Sequence, residues 1–451
     1  MKTSIEDGIF DYKIETSDWR YNAAIVGLIK YFNFLSNSRR EEKKDLYEIN
    51  EDTIRYNSKK ITEENYLLFV EYYFKDAMHH KVIENLISNE ELTKEQIDLI
   101  NAKLKANSIM KSIFRKISYS EENKEEILKK INESRLTLIK ETYIKGKSLY
   151  SNFMNEGALF KEKDKVCRIV GYYIDIPKKG KSIAYNWNFN TYEAIDDSIF
   201  DFIPFAFSKT YEAFFINNNC LVENLIKSNN LIAHSDNPRE TLFAKLKESS
   251  EFIDFDVEVI VKNRDNAYYE TLYIRKSAIK VFRNLKNYKG IQFRYVNGTE
   301  TIYMEKQIVD RILNGIKLDS IIEMLLKSTT NYSYNIKTLI EANILIYGGD
   351  SMDSQMKSAY KAAKTVLQAI PENKVNSYKQ KLISSVTFKD YDRFCEILLQ
   401  LSSYSGVTFN FAYDLFEDFE ENKNIAYTFI NALNKEVTKS ENEVVKNGGE
   451  R

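Results

Sequence analysis

Side chains that usually carry chemistry are scarce in this chain. Only three histidines occur in 451 residues. The three cysteines, Cys167, Cys220 and Cys395, stand far apart with no CxxC, which excludes a disulfide framework and a local zinc ribbon and leaves reduced core thiols as the expectation. There is no GxxxxGK[ST], no HExxH and no GxSxG, so the local signatures of nucleotide hydrolysis, zinc proteolysis and acyl transfer are missing. No run of about 18 uncharged apolar residues occurs, and the opening MKTSIEDGIFDYKIE carries acids where a signal peptide is basic and then apolar. A cytoplasmic protein without a membrane partner is expected. The four prolines, Pro177, Pro204, Pro238 and Pro371, leave long stretches free of helix breakers.

What is present is a large apolar complement, 43% hydrophobic and 13% aromatic, ample for two or three packed units. Net charge is −1, from 65 basic and 66 acidic side chains, so no global field draws in nucleic acid and any such binding must be local. Abundant Lys, Glu, Leu and Ile favour helix. The fold class expected is α+β, predominantly helical: an N-terminal mixed domain with β-hairpins over 1–304, helical in 17–145 and hairpin-bearing in 160–304, then a C-terminal helical bundle over 305–440 and a frayed tail at 441–451.

Ser17 and Asp18 are good N-cap types before WRYNAAIVGLIKYFNFL, where Ala24, Leu28, Ile29 and Phe32 recur at helical spacing, so an amphipathic helix starts there. The apolar period continues through Thr62–Ile87 and again from about Thr93 to Tyr143, the latter as two helices broken near Ser118–Ser120. VCRIVGYYIDI, PKKGK and SIAYNWNFN read as strand, turn and returning strand. Ile253, Phe255, Val257, Val259 and Val261 alternate with Asp254, Asp256 and Glu258, the pattern of a half-buried strand, before NRDN and YYETLYI. Asn297-Gly298 between IQFRYV and TETIYM marks a third hairpin, because that pair supplies positive φ. Helices are expected at about 305–328, 353–370, 373–386, 388–402, 407–419 and 422–435, punctuated by Pro371 and Gly406 and joined by short connections suited to an antiparallel bundle.

No constellation makes a convincing catalytic centre. His79 and His80 are neighbours on a helix and point about 100° apart, which suits a surface or helix-end role better than a shared metal. His234 with Asp236 in AHSDNP offers acid–base material or simply a turn, with no third partner. The acids of DLFEDFEE (414–421) read as a solvated helical face. No cofactor, metal site or catalytic residue is assigned.

Three polar features can be weighed as nucleic-acid contacts. Lys178, Lys179 and Lys181 flank Gly180 in a projecting turn where ammonium groups can meet phosphates. Asn217, Asn218 and Asn219 follow YEAFFI, and amides in a loop could read base edges or merely turn the chain. Lys357, Lys361 and Lys364 fall at i, i+4 and i+7, Lys374 and Lys381 are similarly placed on the next helix, and Tyr360 and Tyr378 beside them could stack on an unpaired strand.

The stretch Asp18-Trp19-Arg20-Tyr21-Asn22-Ala23-Ala24-Ile25-Val26-Gly27-Leu28 resembles the Trp, Asn and Gly pattern that opens the large-subunit family of the type I-B CRISPR effector complex (Cascade), the branch often marked by paired CxxC motifs. Phe202-Ile203-Pro204-Phe205-Ala206-Phe207 resembles its apolar segment. The C-terminal run with Tyr378, Asp390, Phe394, Leu398 and Leu399 resembles its helical region. The CxxC pairs themselves are missing, with Cys167 alone in their place. Trp19, Phe394 and Leu398 read physically as core.

The resemblance implies a non-catalytic subunit, not an enzyme, in an antiviral surveillance complex. Its partners would be CRISPR RNA, target double-stranded DNA, the handle-binding, backbone and small subunits, and a recruited helicase-nuclease. The N-terminal part would inspect the protospacer-adjacent motif while base pairing reads the target; the C-terminal bundle, resembling the small subunit, would hold DNA strands. Two alternatives stand beside it: a protein-interaction scaffold without nucleic acid, and a metal-dependent nuclease built on the Asp254, Asp256 and Glu258 row.

Overall fold

A computed structural model describes residues 2–89, 92–161, 168–171, 196–218, 221–233, 253, 255–265, 268–298, 300–349 and 352–434. The chain forms two compact units, Met1–Ile274 and Arg275–Arg451. The architecture is α+β and mainly helical, with strands concentrated in the first unit and helices dominating the second, as the composition and periodicity imply.

The first unit opens with an antiparallel sheet of order β1-β2-β4-β3, from β1 (Lys2–Asp7), β2 (Phe10–Glu15), β3 (Tyr47–Asn50) and β4 (Thr53–Tyr56). None of these four strands is announced by the sequence pattern, because they are short and carry charges at their exposed positions. Against the sheet lies α1 (Trp19–Arg39), capped by Asp18, whose carboxylate accepts from the Arg20 amide at 2.8 Å. An amphipathic helix is expected there, but every residue from Asn22 to Ile29 is buried. A helix covered all round is a core helix. Its cover includes Ile14 and Ile54 of the sheet and the 3-10 segment Ser198–Phe205.

Gly27 explains how that segment comes so close. A Cβ on Gly27 would stand 2.0 Å from the Phe202 carbonyl oxygen, so only glycine lets the two backbones touch. Asn22, buried on the same helix, exchanges hydrogen bonds with the Ser17 backbone and donates to Asn217 Oδ1 at 2.7 Å. The Trp, Asn and Gly positions that stand out in the sequence are therefore packing devices.

The same segment is fixed from its other side by a buried ionic node. Asp201 accepts from Arg168 Nη1 at 2.8 and 2.7 Å, from Tyr150 Oη at 2.7 Å and from the Phe160 amide at 3.3 Å. Its backbone carbonyl accepts from Tyr66 Oη at 2.6 Å. Arg168 is 1% exposed and also donates to the carbonyls of Ala158 and Lys161.

Helices α2 (Glu63–Tyr73), α3 (His79–Ile87), α4 (Lys94–Leu104), α5 (Ser108–Phe114) and α6 (Lys124–Lys145) follow the sheet. The Thr62–Ile87 period is thus two helices and the Thr93–Tyr143 stretch three. Asn107 ends the continuity by N-capping α5, its side chain accepting from Met110 N. His79 and His80 open α3, a helix-end position, but His80 turns wholly inward and meets Glu71 at 2.7 Å.

After the short α7 (Tyr150–Phe153) come β5 (Glu212–Asn217), α8 (Val222–Ala233), β6 (Val257–Asn263) and β7 (Glu270–Ile274), with the three strands ordered β5-β6-β7 and antiparallel. The alternating run around Val257–Val261 is a strand, but a central one. Ile260 and Lys262 are buried alongside Val257, Val259 and Val261, so both faces are covered rather than one. The PKKGK turn and its flanking strand SIAYNWNFN lie outside the described residues, as do His234, Asp236 and Asp254.

The second unit starts with α9 (Lys276–Asn284) and the hairpin β8 (Arg294–Asn297) and β9 (Glu300–Tyr303), where Gly298 at φ +60° makes the turn. This hairpin, within the 1–304 span of the sequence reading, lies on the C-terminal side of the division. Helices α10 (Met304–Leu313), α11 (Asp319–Lys327), α12 (Ser333–Ile346), α13 (Ser354–Ala369), α14 (Glu372–Thr387), α15 (Tyr391–Ser405), α16 (Ala412–Glu417) and α17 (Phe419–Ala432) complete it. The expected 305–328 helix is two, parted at Gly315 with φ +65°, and α12 is absent from the sequence reading. Helix α17 is the centre, with Ile425, Ala426, Tyr427, Phe429 and Ile430 all buried. Buried Asn343 on α12 ties it in, donating to Asn424 Oδ1 at 3.2 Å and to Asp319 Oδ1 at 2.9 Å. Pro371 precedes α14, and Gly406 at φ +71° ends α15.

Replacing Gly27 by Ala adds about 1 kcal/mol of helix propensity but forces a collision with the Phe202 carbonyl, an overpacking cost of about 1–3 kcal/mol or more. The urea midpoint of G27A is expected to fall; an unchanged or higher midpoint contradicts the close approach. Half-buried Lys30 donates to Phe205 O at 2.9 Å and to Tyr73 Oη at 3.4 Å, with Lys209 on the Tyr73 ring at 4.1 Å. Burial first, and Lys209 second, bring its ammonium down to about 7. Between pH 7 and the ordinary lysine value the unfolded chain binds this proton and the folded chain does not, so unfolding free energy rises with pH across that window. Chemical denaturation of Lys30→Met is expected to show a flatter rise from pH 7 to 9; a slope identical to the parent's excludes Lys30 as its source.

Candidate nucleic-acid interface

Between Ser354 and Lys389 seven lysines, at 357, 361, 364, 374, 379, 381 and 389, face a single carboxylate, Glu372. A chain of balanced overall charge thus holds a strongly basic stretch here, as it does over 271–299, where seven Lys and Arg face no carboxylate; the structure builds the stretch 354–389 into two consecutive helices, α13 and α14.

Asp353 starts α13, its carboxylate accepting from Met356 N at 2.7 Å. The apolar face of α13, Met356, Ala359, Ala363 and Val366, is buried, and α13 packs on α17. That orientation leaves Lys357 and Lys361 exposed, with Lys364 half-buried. The Lys364 ammonium sits 5.4 Å from the centre of the Tyr360 ring, itself 40% exposed. Ser354, Lys357, Ser358, Lys361 and Thr365 line one wall of an open groove of about 490 Å³, and Val407 and Thr408, just past α15, form the other.

On α14 the buried side is Val375, Leu382, Ile383 and Val386, leaving Lys374 and Lys381 exposed. Lys381 stands 5.5 Å from the centre of the Tyr378 ring, and Tyr378 lies 6.1 Å from Tyr404, an exposed ring in the last turn of α15. Among the described residues no carboxylate pairs with Lys357, Lys361, Lys374 or Lys381. Ammonium groups without ion-pair partners, set between exposed rings, are what a polyanion carrying flat aromatic groups requires.

The sequence reading identifies the five lysines and two of the three tyrosines. It misses Tyr404, whose place next to Tyr378 depends on the α14–α15 pairing, and the hydroxyls of the groove, which no charge pattern marks. The other two candidate sites fare differently. Lys178, Lys179, Gly180 and Lys181 lie outside the described residues, as does Asn219. Asn217 and Asn218 are not loop amides open to a base. Both are buried; Asn217 links Asn22 to Glu258 Oε2 at 2.7 Å, and Asn218 donates to Ser228 Oγ at 3.2 Å. Their amides hold β5 to its neighbours.

Glu258, of the carboxylate row, is thereby engaged, and Asp256 is exposed. Among the described residues no group of three or more His, Cys, Asp or Glu side chains could hold a metal ion. The acidic run 414–421 serves caps and pairs: Asp418 accepts from Glu421 N, and Glu420 pairs with Lys423 and accepts from Tyr391 Oη. Burial and Asp392 push the half-buried Cys395 thiol up to about 11, so it is an unreactive thiol. Among the described residues no helix is long and apolar enough to cross a membrane.

A match to a family model places the chain among the CRISPR-associated proteins. It belongs to the family of CRISPR-associated protein Csx8, which matches residues 10–237 and 227–433. No curated protein matches the chain. The family match overturns the resemblance to the type I-B large-subunit branch with its CxxC pairs. Most of the residues behind that resemblance are structural: Trp19 is 7% exposed, Asn22 and Phe394 are fully buried, Leu398 is core, and Asp390 caps α15, whereas Leu399 is 57% exposed and Tyr378 lies on the basic face. Patterns set by helix capping and core packing arise in unrelated families, so they carry little lineage information.

Because Lys357, Lys361, Lys374 and Lys381 are exposed and make no ion pairs among the described residues, their replacement by Glu is expected to leave the fold intact, each within about 0.5 kcal/mol. Urea unfolding of the fourfold variant checks this, and a loss of several kcal/mol would show that the stripe is structural.

Proposed function

We propose that the chain is a non-catalytic large subunit of a type I CRISPR RNA-guided surveillance complex, and that α13, α14 and the end of α15 hold a single nucleic-acid strand during target engagement. The observation that carries this reading is the set of four exposed lysines with no ion-pair partner among the described residues, interleaved with Tyr360, Tyr378 and Tyr404 on one helical unit. Membership of a CRISPR-associated family supports it. Lysines supply the sequence-independent phosphate contacts, while each ring offers about 1–3 kcal/mol of stacking to any base. Such a surface tracks a strand without reading its sequence, which suits a complex in which guide pairing does the reading.

Its partners, on this reading, are a guide RNA, target DNA, other subunits of the complex and a separate helicase-nuclease. Inspection of the protospacer-adjacent motif would fall to the first unit. On this reading cleavage is left to another protein; Glu258 is held by Asn217, Asp418 caps α17 and Glu420 pairs with Lys423.

The tagged chain, purified from its native host, is expected to bring down repeat-derived guide RNA and other complex subunits. Recovery of proteins without any RNA would favour a scaffold role and defeat the proposal. In the purified assembly, Glu at Lys357, Lys361, Lys374 and Lys381 should lower target-DNA affinity more than tenfold. It should also reduce the slope of log affinity against log salt by about 0.7 for each single-strand phosphate contact removed. Equal affinity across the salt series would remove these helices from the interface.

A further inference from the structure

The basic stretch over 271–299 runs into the hairpin β8–β9. Of its seven Lys and Arg, Arg275, Lys280, Lys286, Lys289 and Arg294 are exposed, and among the described residues no carboxylate pairs with any of these five. The hairpin is a ribbon of two strands that no third strand joins. Arg294 stands opposite Tyr303, and Val296 opposite Thr301. Successive side chains on a strand point to opposite faces, so these four share one face. All four are exposed, Val296 at 50% and Tyr303 at 61%.

The other face carries Tyr295 and Ile302, both half-buried. There the rings of Phe293 and Tyr295 lie 5.6 and 5.9 Å from that of Tyr332. Tyr332 Oη also accepts from Val296 N and donates to Arg294 O, each at 3.3 Å, so β8 is held from behind and along its outer edge. Glu300, the one carboxylate of the ribbon, belongs to the back face by the same alternation. What faces outward is therefore cationic, β-branched and aromatic, with no acid on it. The Arg294 guanidinium lies 4.6 Å from the centre of the Tyr303 ring, a stack that fixes its plane and leaves its N–H donors to a ligand. Cations stand at both ends of the ribbon: Lys289 in the 3-10 turn before β8 and Lys306 in the first turn of α10 after β9, both exposed. Glu305, next to Lys306 in sequence, is half-buried and accepts from Tyr288 Oη and Gln292 Nε2.

A strip of Arg, Val, Thr and Tyr between two sets of cations matches duplex DNA. The major groove of B-form DNA admits a two-stranded ribbon and is walled by phosphates. Within it arginine pairs with O6 and N7 of guanine, and methyl-bearing side chains touch the thymine methyl. The major groove of A-form RNA is too deep and narrow for side chains to read. A single strand needs open rings to stack on, whereas the ring here is already covered by Arg294.

We infer that the β8–β9 ribbon binds duplex DNA from the major groove, with Arg294 on a guanine edge, Val296 and Thr301 against neighbouring bases, and Lys289 and Lys306 on the flanking phosphates. The inference rests on the reading of the chain as one that meets target DNA, but not on the lysines of α13 and α14. It gives the second unit a contact for paired DNA beside the one for an unpaired strand.

The test follows the full chain with a short labelled duplex at low salt by fluorescence anisotropy, where the parent is expected to bind with a Kd of about 10–100 μM. Arg294→Ala should weaken this about tenfold. Replacing guanine by 7-deazaguanine, which removes the N7 acceptor and keeps base pairing, should weaken the parent by a similar factor and leave Arg294→Ala unchanged. Val296→Glu, on the same exposed face, should lower affinity at least as far, and circular dichroism should confirm that both variants fold. Duplex RNA of the same sequence should bind about tenfold more weakly. Absence of duplex DNA binding, equal binding by Arg294→Ala, a deazaguanine effect that persists in Arg294→Ala, or equal affinity for duplex RNA would each overturn the ribbon contact. So would displacement by polyglutamate as effective as by unlabelled duplex, which would point to an acidic protein instead. Single-stranded DNA separates this surface from α13 and α14: Arg294→Ala should bind it as the parent does, whereas Glu at Lys357, Lys361, Lys374 and Lys381 should lower its affinity. Either surface can thus fail while the other stands.

Discussion

The first unit depends on one buried carboxylate. Asp201 gathers a guanidinium, a phenol and a backbone amide on its two oxygens, while its carbonyl takes a second phenol from α2. Moving such a pair out of water is expensive and is offset only when the remaining donors are satisfied. Here Asp201 is satisfied from segments distant in sequence, Tyr66, Tyr150, Phe160 and Arg168 being brought to a single point, and both terminal nitrogens of Arg168 find acceptors while its Nε does not. The 3-10 segment Ser198–Phe205 that carries Asp201 is therefore fixed in place, and only then can its backbone press against Gly27 of α1 with no side chain between them. Rings of Tyr31, Tyr66, Phe69, Phe202 and Phe205 fill what is left, in edge-to-face and tilted contacts at 4.5–5.6 Å. Polar specification at the node and aromatic packing around it act together: the first chooses the arrangement, the second supplies most of the buried area.

The second unit is organised on a different principle. Its centre is an almost wholly buried helix, α17, and the surrounding helices each give it one apolar face. A helix that spends a single face on the core is free to vary the rest. That freedom is what α13 and α14 use to carry exposed lysines and tyrosines without cost to packing, and it explains why the basic stretch occurs in this unit and not around α1, where every face is occupied.

Legibility in the sequence follows the same division. Where one face packs and the other is wet, the 3.6-residue period survives, and α13, α14, α15 and α17 fall within a few residues of their expected places. The hairpin at Asn297-Gly298 is equally plain, because its turn chemistry is local. Legibility fails where burial removes the contrast. Helix α1 has polar residues, but Asn22 is buried and Lys30 half-buried, so cover on all sides hides the contrast that an amphipathic period implies, and α12, with Thr338, Ala342 and Asn343 buried among its aliphatics, has no clean polar face to detect. The four strands of the first sheet are too short for alternation to accumulate. Asn217 and Asn218 show the sharper error: asparagines in a row suggest a turn, yet both Asn217 side-chain groups and the Asn218 NH2 find partners inside, 10 to 195 residues away, that no local pattern predicts.

The charge balance makes the last point. A net charge of −1 argues against nucleic-acid binding only if charge is spread evenly. At physiological salt the screening length is about 8 Å, so a strand lying on α13 and α14 responds to the lysines within a turn or two of it and hardly at all to acids elsewhere on the molecule. Of the carboxylates nearest in sequence, Asp353 and Asp390 cap α13 and α15, and Glu372 alone stands within the stretch against seven lysines. On the proposed reading, a near-neutral chain would meet nucleic acid weakly on its own and firmly only where other subunits hold the strand against that one face.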